Sequence, residues 1–167
     1  MNLSSNLLRT CRQIYWEAFE YLYSDNHFTI SIEREQRAAF KQRFAFHYVP
    51  WEFLPQSLQA IRHLRIFWEA GEILGTELRS QEWTNTWHVL SQMTGLRNLH
   101  IRLSWDHWGQ GFVRPWYEPG VWRFHPIKEI TAPKKFVIVL PDREGIDVGD
   151  IDVGSSNCVI RTASEEV

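Results

Sequence analysis

Leu96-Arg-Asn-Leu99-His-Ile101-Arg-Leu103 is the stretch of sequence from which the fold can be argued. Within residues 99–103, large apolar residues alternate with His and Arg. Side chains of a β-strand point alternately to its two faces, so this pattern predicts a strand with one buried face and one polar face. Residues 28–32, 64–68 and 136–140 show the same alternation, and the four segments begin 36, 35 and 37 residues apart in chain order.

A near-constant period of this length indicates a repeat array in which each unit adds one strand to a common sheet. The connections are too long for hairpins and favour crossovers between parallel strands. The spacing Leu-x-x-Leu-x-Ile ends at Ile101, and a variant that begins with Ile ends at Ile66; this spacing is typical of leucine-rich-repeat strands. We therefore predict an α/β fold: an irregular leucine-rich-repeat-like array of about four parallel strands, with helices on one face and an N-terminal capping helix.

The N-terminal helix is predicted from apolar residues that recur three and four positions apart between Leu3 and Leu22. This stripe includes Cys11, Ile14 and Leu22, which are therefore expected to be buried. A helix in this position would cap the open end of the array, as terminal units of repeat proteins do. A buried thiol usually behaves as a small apolar group, so we interpret Cys11 as structural.

Further helices are predicted over residues 34–46, 55–60 and 82–93, with Gly95 placed to end the last of them. Residues 104–127 show no helical pattern and are expected to form a long irregular loop. Loops of this length are often functional. This one contains four of the nine tryptophans of the chain, namely Trp105, Trp108, Trp116 and Trp122.

Length and charge limit the possible organisation and partners. The chain has 167 residues, enough for one domain with a substantial core, and a formal net charge of −2 gives no overall field that would attract nucleic acid. Residues 1–141 carry 16 basic and 13 acidic residues (+3), whereas residues 142–167 carry 2 and 7 (−5). We divide the chain there into a leucine-rich-repeat-like domain, 1–141, and an acidic C-terminal tail, 142–167. The tail contains a candidate late strand at residues 158–161, and we expect its removal from residue 143 onward to leave the fold intact.

Signals for secretion or membrane insertion are not visible in the sequence. The N-terminus lacks a basic segment followed by an apolar run, and no window approaches 18 apolar residues. Two cysteines in different settings suggest reduced thiols rather than a disulfide scaffold. We expect an intracellular protein, cytoplasmic or nuclear, with no membrane partner.

Motifs of catalysis and of cofactor binding are also not found. The sequence contains no Gly-x-Ser-x-Gly, no glycine-rich phosphate loop and no His-Glu-x-x-His, and its seven histidines do not show metal-ligand spacing. Asp147, Asp150 and Asp152 resemble part of a calcium loop but lack its distal glutamate, so we favour a solvated acidic segment. We expect no catalytic residues, no metal and no cofactor, and hence a protein that is not an enzyme.

Residues 7–30 carry a more specific pattern: Leu-Leu-Arg-Thr-Cys-Arg-Gln-Ile-Tyr at 7–15, followed by Glu17-Ala18, Leu22-Tyr-Ser24, Asn26 and Phe28. This pattern resembles the signature of an uncharacterised domain family of filamentous fungi, in which it precedes leucine-rich-repeat-like strands. Many relatives carry an F-box-like helix before it, and F-box proteins with repeats select substrates for cullin-based ubiquitin ligases. The resemblance implies a scaffold or recognition domain with no established activity.

The outward strand positions are the first candidate for a functional surface. They are mostly polar on the first three predicted strands, whereas the near-continuous apolar run of the fourth indicates that both of its faces are covered. Repeat arrays commonly bind partners on such a sheet face, although a merely solvated face is an equally good interpretation. Four residues cluster at two levels of the central strands: Arg65, Phe67, His100 and Arg102.

The second candidate surface is the Trp-rich loop, whose rings could meet a partner or fold over the last strand as a lid. Our leading hypothesis is a non-enzymatic module that binds an unidentified protein partner through the outward sheet face and this loop. The alternative is a small-ligand or carbohydrate-binding protein, or an enzyme, with an aromatic cleft formed by residues 104–127. Single-stranded nucleic acid is disfavoured by the small positive charge of residues 1–141.

Overall fold

Five parallel strands form one sheet in the computed structural model, which describes residues 12–32, 55–69, 77–104, 122–142, 148 and 151–165. Each strand lies beside its neighbour in the chain, so the spatial order equals the chain order. The predicted α/β class and parallel sheet are confirmed, but the sheet has five strands rather than about four. They are β1 (His27–Ile32), β2 (His63–Glu69), β3 (Asn98–Ser104), β4 (Lys135–Leu140) and β5 (Cys158–Thr162).

Helices in the described residues precede or follow these strands. They are α1 (Arg12–Ser24), α2 (Pro55–Ala60), α3 (Glu77–Gln92) and two 3-10 helices, Trp122–Glu129 and Ala163–Glu165. The prediction for residues 55–60 is confirmed at both ends. The helix predicted for residues 82–93 begins five residues earlier and ends one residue earlier, and the helix predicted for residues 34–46 lies outside the described residues.

The strand register agrees with the alternation of apolar residues in the sequence. Phe28 pairs with Leu64, Leu64 with Leu99, and Leu99 with Phe136, so the first apolar position of every predicted strand falls in one row. The next row consists of isoleucine on all five strands, and its three central members are completely buried. This isoleucine row runs through Ile30, Ile66, Ile101, Ile138 and Ile160.

The core lies on the face that the apolar rows share, and α3 packs against it. Trp83 and Trp87 are buried on α3. The Trp83 ring lies 4.6 Å from that of Trp68 on β2 and 5.1 Å from that of Trp87, in tilted and edge-on arrangements that aromatic pairs favour. Helix and sheet therefore meet through three tryptophans in contact.

Helix α1 packs differently from the predicted stripe. Ile14 and Leu22 are 42% and 44% exposed, so their predicted burial is wrong. Tyr23 contacts the core instead, because its ring stacks on Phe28 of β1 at 5.6 Å and also contacts Phe19, one turn earlier. The aromatic residues four apart thus decide which side of the helix faces the sheet.

The segment before β4 forms a 3-10 helix, Trp122–Glu129, where the sequence predicts an irregular loop. Its buried residues are Phe124 and Ile127, followed by Ile130 just after its end. A spacing of three matches the 3.0 residues per turn of a 3-10 helix and does not match the α-helical period used in the prediction. The predicted loop is therefore wrong for this part of residues 104–127.

The residues before β5 are attached to the body of the protein. Ser156 is buried and donates its hydroxyl to the Ile130 carbonyl at 2.8 Å, and Lys128 forms a 2.5 Å ion pair with Asp152. The side chains of Val148, Ile151 and Val153 pack against the core. This segment adds a strand and apolar contacts to the sheet, and the expectation that residues 143–167 are dispensable for folding stays a prediction.

Backbone hydrogen bonds join the chain segments at the starts of β2, β3 and β4. The Arg62 carbonyl accepts hydrogen bonds from the amides of Arg97 and Asn98 at 2.8 and 3.0 Å. The Arg97 carbonyl in turn accepts one from the Lys135 amide at 3.0 Å. Successive units are thus tied together immediately before or at the first residue of β2, β3 and β4.

Gly95 lies where α2 approaches the turn after α3. The Arg62 guanidinium donates to the carbonyls of Gln59 and Gly95 at 3.0 and 2.9 Å. A Cβ atom at Gly95 would clash with the Gln59 carbonyl oxygen and with the Arg62 guanidinium. The sequence places Gly95 at the end of a helix, and the structure shows that close packing between neighbouring units also requires it.

We predict that Leu99→Ala lowers the free energy of unfolding by about 2–5 kcal/mol, because it leaves a cavity in the central strand of the core. Leu99 is 1% exposed. The measurement is urea denaturation, with Arg65→Ala as the control on the other face of β2, where we expect a change within about 0.5 kcal/mol. A Leu99→Ala protein as stable as the parent would contradict the observed register.

We predict that Cys158→Asp destabilises the protein by at least about 2 kcal/mol, because it places a carboxylate at a buried position of β5. Val159→Asp is the matched control: the neighbouring side chain is 47% exposed and points to the opposite face. Thermal melts of both variants check this. Equal stability of the two would mean that residues 158–162 are not part of the sheet.

Candidate partner-binding face

The outward face of the sheet carries the candidate site. Alternation along the strands places these residues opposite the core, and the observed register arranges them in three rows across the sheet. The first row is His27, His63, Asn98 and Lys135. The second is Thr29, Arg65, His100, Val137 and Val159, and the third is Ser31, Phe67, Arg102, Val139 and Arg161.

The four sheet residues predicted for the site are brought together. Arg65 pairs with His100 and Phe67 pairs with Arg102 across the β2–β3 ladder, so the four form a square on neighbouring strands. Arg65 and Arg102 are exposed, and Phe67 and His100 are half-buried. Adjacent strands lie about 4.8 Å apart, so one ligand segment can contact all four side chains.

Positive charge is concentrated on this face. Arg65, Arg102, Lys135 and Arg161 all occupy outward positions and are exposed. Arg161 was not among the predicted site residues because residues 158–161 were assigned to the tail. The signal that could have identified it is the alternation of apolar and polar residues on β5, in which Arg161 follows Ile160.

The face is not equally open across the sheet. Val139 lies in the same row as Arg102 and Arg161, yet it is completely buried. Val137, two residues earlier, is half-buried. The apolar run of β4 is therefore covered on both sides at Val139, as the sequence predicts, and the exposed polar part of the face extends over β1 to β3.

Histidine and asparagine side chains link the strands along the first row. The rings of His27 and His63 stack with their centres 4.5 Å apart, and the Asn98 side-chain amide lies 2.8 Å from Nδ1 of His63. With the Asn98 amide donating, Nδ1 of His63 acts as an acceptor, which requires a neutral imidazole. Desolvation, followed by the charges of His27 and Arg97, lowers the pKa of His63, whereas Asp25 opposes this shift.

The other predicted site residues lie in the Trp-rich loop. Trp105, Trp108 and Trp116 lie outside the described residues, and Trp122 begins the 3-10 helix before β4. The aromatic cleft considered as an alternative falls in the same segment. The structure therefore shows where the sheet residues of the predicted site lie, and the site itself stays a prediction.

Groups that could carry chemistry have other roles in the described residues. Burial raises the pKa of the Cys158 thiol to about 12, so this cysteine remains protonated and unreactive. The Asp152 carboxylate accepts hydrogen bonds from the Lys128 ammonium group and from the Gly154 amide, so its role is structural. No group of three or more His, Cys, Asp or Glu side chains in the described segments could hold a metal ion.

No helix among the described residues is both long enough and apolar enough to cross a membrane.

Comparison with known proteins gives one match. A family model described as Domain of unknown function (DUF7730) covers residues 3–163, nearly the whole chain and both sides of residue 141. No curated protein and no solved structure matches the chain.

We predict that stability falls as the pH is lowered through about 6.5, and that His63 contributes to this fall. Because the pKa of His63 is lower in the folded state, the unfolded state binds more protons between the two pKa values. The stabilisation is thus present above about pH 6.5 and is lost as the pH falls towards the folded-state pKa. Urea denaturation of the parent and of His63→Gln at several pH values measures it. A stability difference between the two that stays constant from about pH 8 to pH 5 would contradict the assignment.

Proposed function

The chain belongs to the family described as Domain of unknown function (DUF7730). We propose that it is a non-enzymatic protein-recognition or scaffold module. Its binding surface is the outward sheet face over β1 to β3, centred on Arg65, Phe67, His100 and Arg102. The two faces of the sheet would then have different roles. The apolar face packs against α3 to form the core, and the outward face binds a protein partner.

The observation that supports the proposal most directly is the square on β2 and β3. Aromatic and arginine side chains are enriched among the residues that dominate binding energy at protein interfaces. Two exposed arginines and a half-buried phenylalanine lie here on adjacent strands of a regular sheet, which is a rigid support. A rigid patch loses little conformational freedom when it binds.

The finer parts of the proposal concern the repeat and the loop. We interpret the sequential parallel order, with β1 to β4 beginning 35–37 residues apart and β5 following more closely, as a leucine-rich-repeat-like array that acts in the manner of a substrate adaptor. The Trp-rich segment, with Trp105, Trp108, Trp116 and Trp122, is the second part of the proposed binding surface. The signature at residues 7–30 supports an F-box-associated role by resemblance.

We predict that Arg65→Ala combined with Arg102→Ala reduces partner recovery while leaving the fold intact. Truncating one residue of a binding hot spot can cost about 2 kcal/mol, roughly thirtyfold in affinity, whereas exposed positions usually change stability by no more than about 0.5 kcal/mol. The measurement is affinity purification from the native cells with mass spectrometry, accompanied by thermal melts of each protein.

The matched control is Asn85→Glu with His88→Glu, at exposed positions of α3 on the other side of the sheet. Both double variants change the formal net charge by −2, so a loss confined to the arginine variant locates binding on the outward face. Full recovery of partners by a well-folded arginine variant would overturn the sheet-face proposal. Alanine substitutions of the four loop tryptophans would then be the next variants to measure.

A further inference from the structure

We propose that Ser164 is a phosphorylation site for a serine/threonine protein kinase that recognises Val159 and Arg161, and that the added phosphate releases the turn after β5. The proposal concerns the β5 edge of the sheet and does not depend on a partner-binding role of β1 to β3. It follows from the exposure of these three residues, from their spacing, and from the hydrogen bonds that hold Ser164.

Strand β5 carries a pattern of exposed residues that protein kinases select. Val159 is 47% exposed, and Arg161 and Ser164 are also exposed. Arg161 precedes the acceptor serine by three residues, and Val159 precedes it by five. Several serine/threonine kinases select substrates with an arginine and an apolar residue at these two positions, and such patterns are a general source of kinase specificity. Because alternate residues of a strand share one face, Val159 and Arg161 are presented side by side.

The backbone before Ser164 is already extended. Strand β5 ends at Thr162, and among the described strands it pairs with β4 alone, so its other edge is not paired with a described strand. The acceptor lies in the 3-10 turn Ala163–Glu165, which is three residues long. Little structure therefore has to open for the Ser164 hydroxyl to reach a kinase active site.

Hydrogen bonds hold Ser164 at the end of β4. The Ser164 amide donates to Oδ1 of Asp142 at 2.8 Å, and the hydroxyl oxygens of Ser164 and Thr162 lie 3.1 Å apart. The Ser164 amide, followed by the Ser164 hydroxyl, lowers the pKa of Asp142, so this carboxylate is ionised at neutral pH. Because Asp142 follows β4 and Ser164 follows β5, the contact ties the two strands together beyond the last pair of their ladder.

Phosphoryl transfer turns this contact from attractive to repulsive. The Ser164 hydroxyl oxygen bonds to the γ-phosphorus of ATP, the bond from that phosphorus to the bridging oxygen breaks, ADP leaves, and the hydroxyl proton passes to the catalytic base of the kinase. The hydroxyl beside Asp142 becomes a group with a charge of about −1.5 to −2. Like charges at this separation repel, so phosphorylated Ser164 moves away from Asp142.

A nearby cation opposes this repulsion and is the weaker effect. The charge of Arg102 also lowers the pKa of Asp142, but it is the smallest of the causes, whereas the Ser164 amide and hydroxyl are the largest. The Glu165 carboxylate, which accepts a hydrogen bond from the Thr162 amide at 3.0 Å, adds a second negative charge close to the phosphate. Repulsion by the two carboxylates therefore exceeds attraction by the guanidinium.

The first test is phosphorylation of the full chain with MgATP and the catalytic domain of a calcium–calmodulin-dependent protein kinase, which has this preference, with the site mapped by tandem mass spectrometry. We expect phosphate on Ser164 and an initial rate at least about tenfold lower for Arg161→Gln, because a charge-assisted contact is lost. Lys134→Gln makes the same charge change at an exposed residue before β4 and should keep the parental rate.

The same phosphopeptide is expected in protein purified from the native cells. Phosphate on other residues but not on Ser164, in both the kinase reaction and the purified protein, would overturn the site. Equal rates for the parent and Arg161→Gln would overturn the assigned recognition.

The second test measures hydrogen exchange at the Ser164 amide before and after phosphorylation. We expect exchange to be at least about tenfold faster in the phosphorylated parent. Asp142→Asn keeps a carbonyl oxygen as acceptor and removes the charge, so phosphorylation should change its exchange rate by less than about twofold. An unchanged rate in the parent, or the same increase in both proteins, would overturn release of the turn by repulsion from Asp142.

Discussion

Burial of one side chain in every two along parallel strands is the constraint on which the rest of this structure depends. The isoleucine row through Ile66, Ile101 and Ile138 is completely buried, and it stays in line only if every strand keeps the same register. A shift of one residue would move an entire strand's apolar set to the solvent face. The placement of α3, of the tryptophan contacts and of the outward residues all follows from that alignment.

Much of the fold could be predicted because alternation is a local signal with a direct physical cause. The register of β1 to β4 and the two faces of each strand follow from residues such as Leu64 and Leu99 without knowledge of their neighbours. The 3-10 helix was missed because Phe124 and Ile127 follow a three-residue period. The start of α3 was missed because Glu77 and the residues after it favour a helix by propensity and lack an apolar stripe.

At the two ends of the chain, the structure depends on contacts that composition and periodicity do not reveal. Composition and charge describe residues 142–167 as an acidic tail, but net charge does not register that Ser156 and Cys158 are buried by contacts with residues far away in sequence. Likewise, periodicity alone could not decide whether Leu22 or Tyr23 faces the sheet. That choice depends on the aromatic stack with Phe28, which exists only once β1 is in place. The candidate site is a sum of outward positions, so its sheet part was as predictable as the strands, whereas Arg161 depended on β5.

The hydrogen bonds between Arg62, Arg97 and Lys135 have a consequence for how such a protein can change during evolution. They align β2, β3 and β4 with one another at or immediately before their first residues. The long connections between these strands are therefore not needed to set the register of the next strand. Insertions and deletions in those connections can therefore accumulate while the core remains aligned. A fold built in this way can vary in loop length at little cost to folding, because lengthening a loop adds only slowly to the entropy lost on closing it.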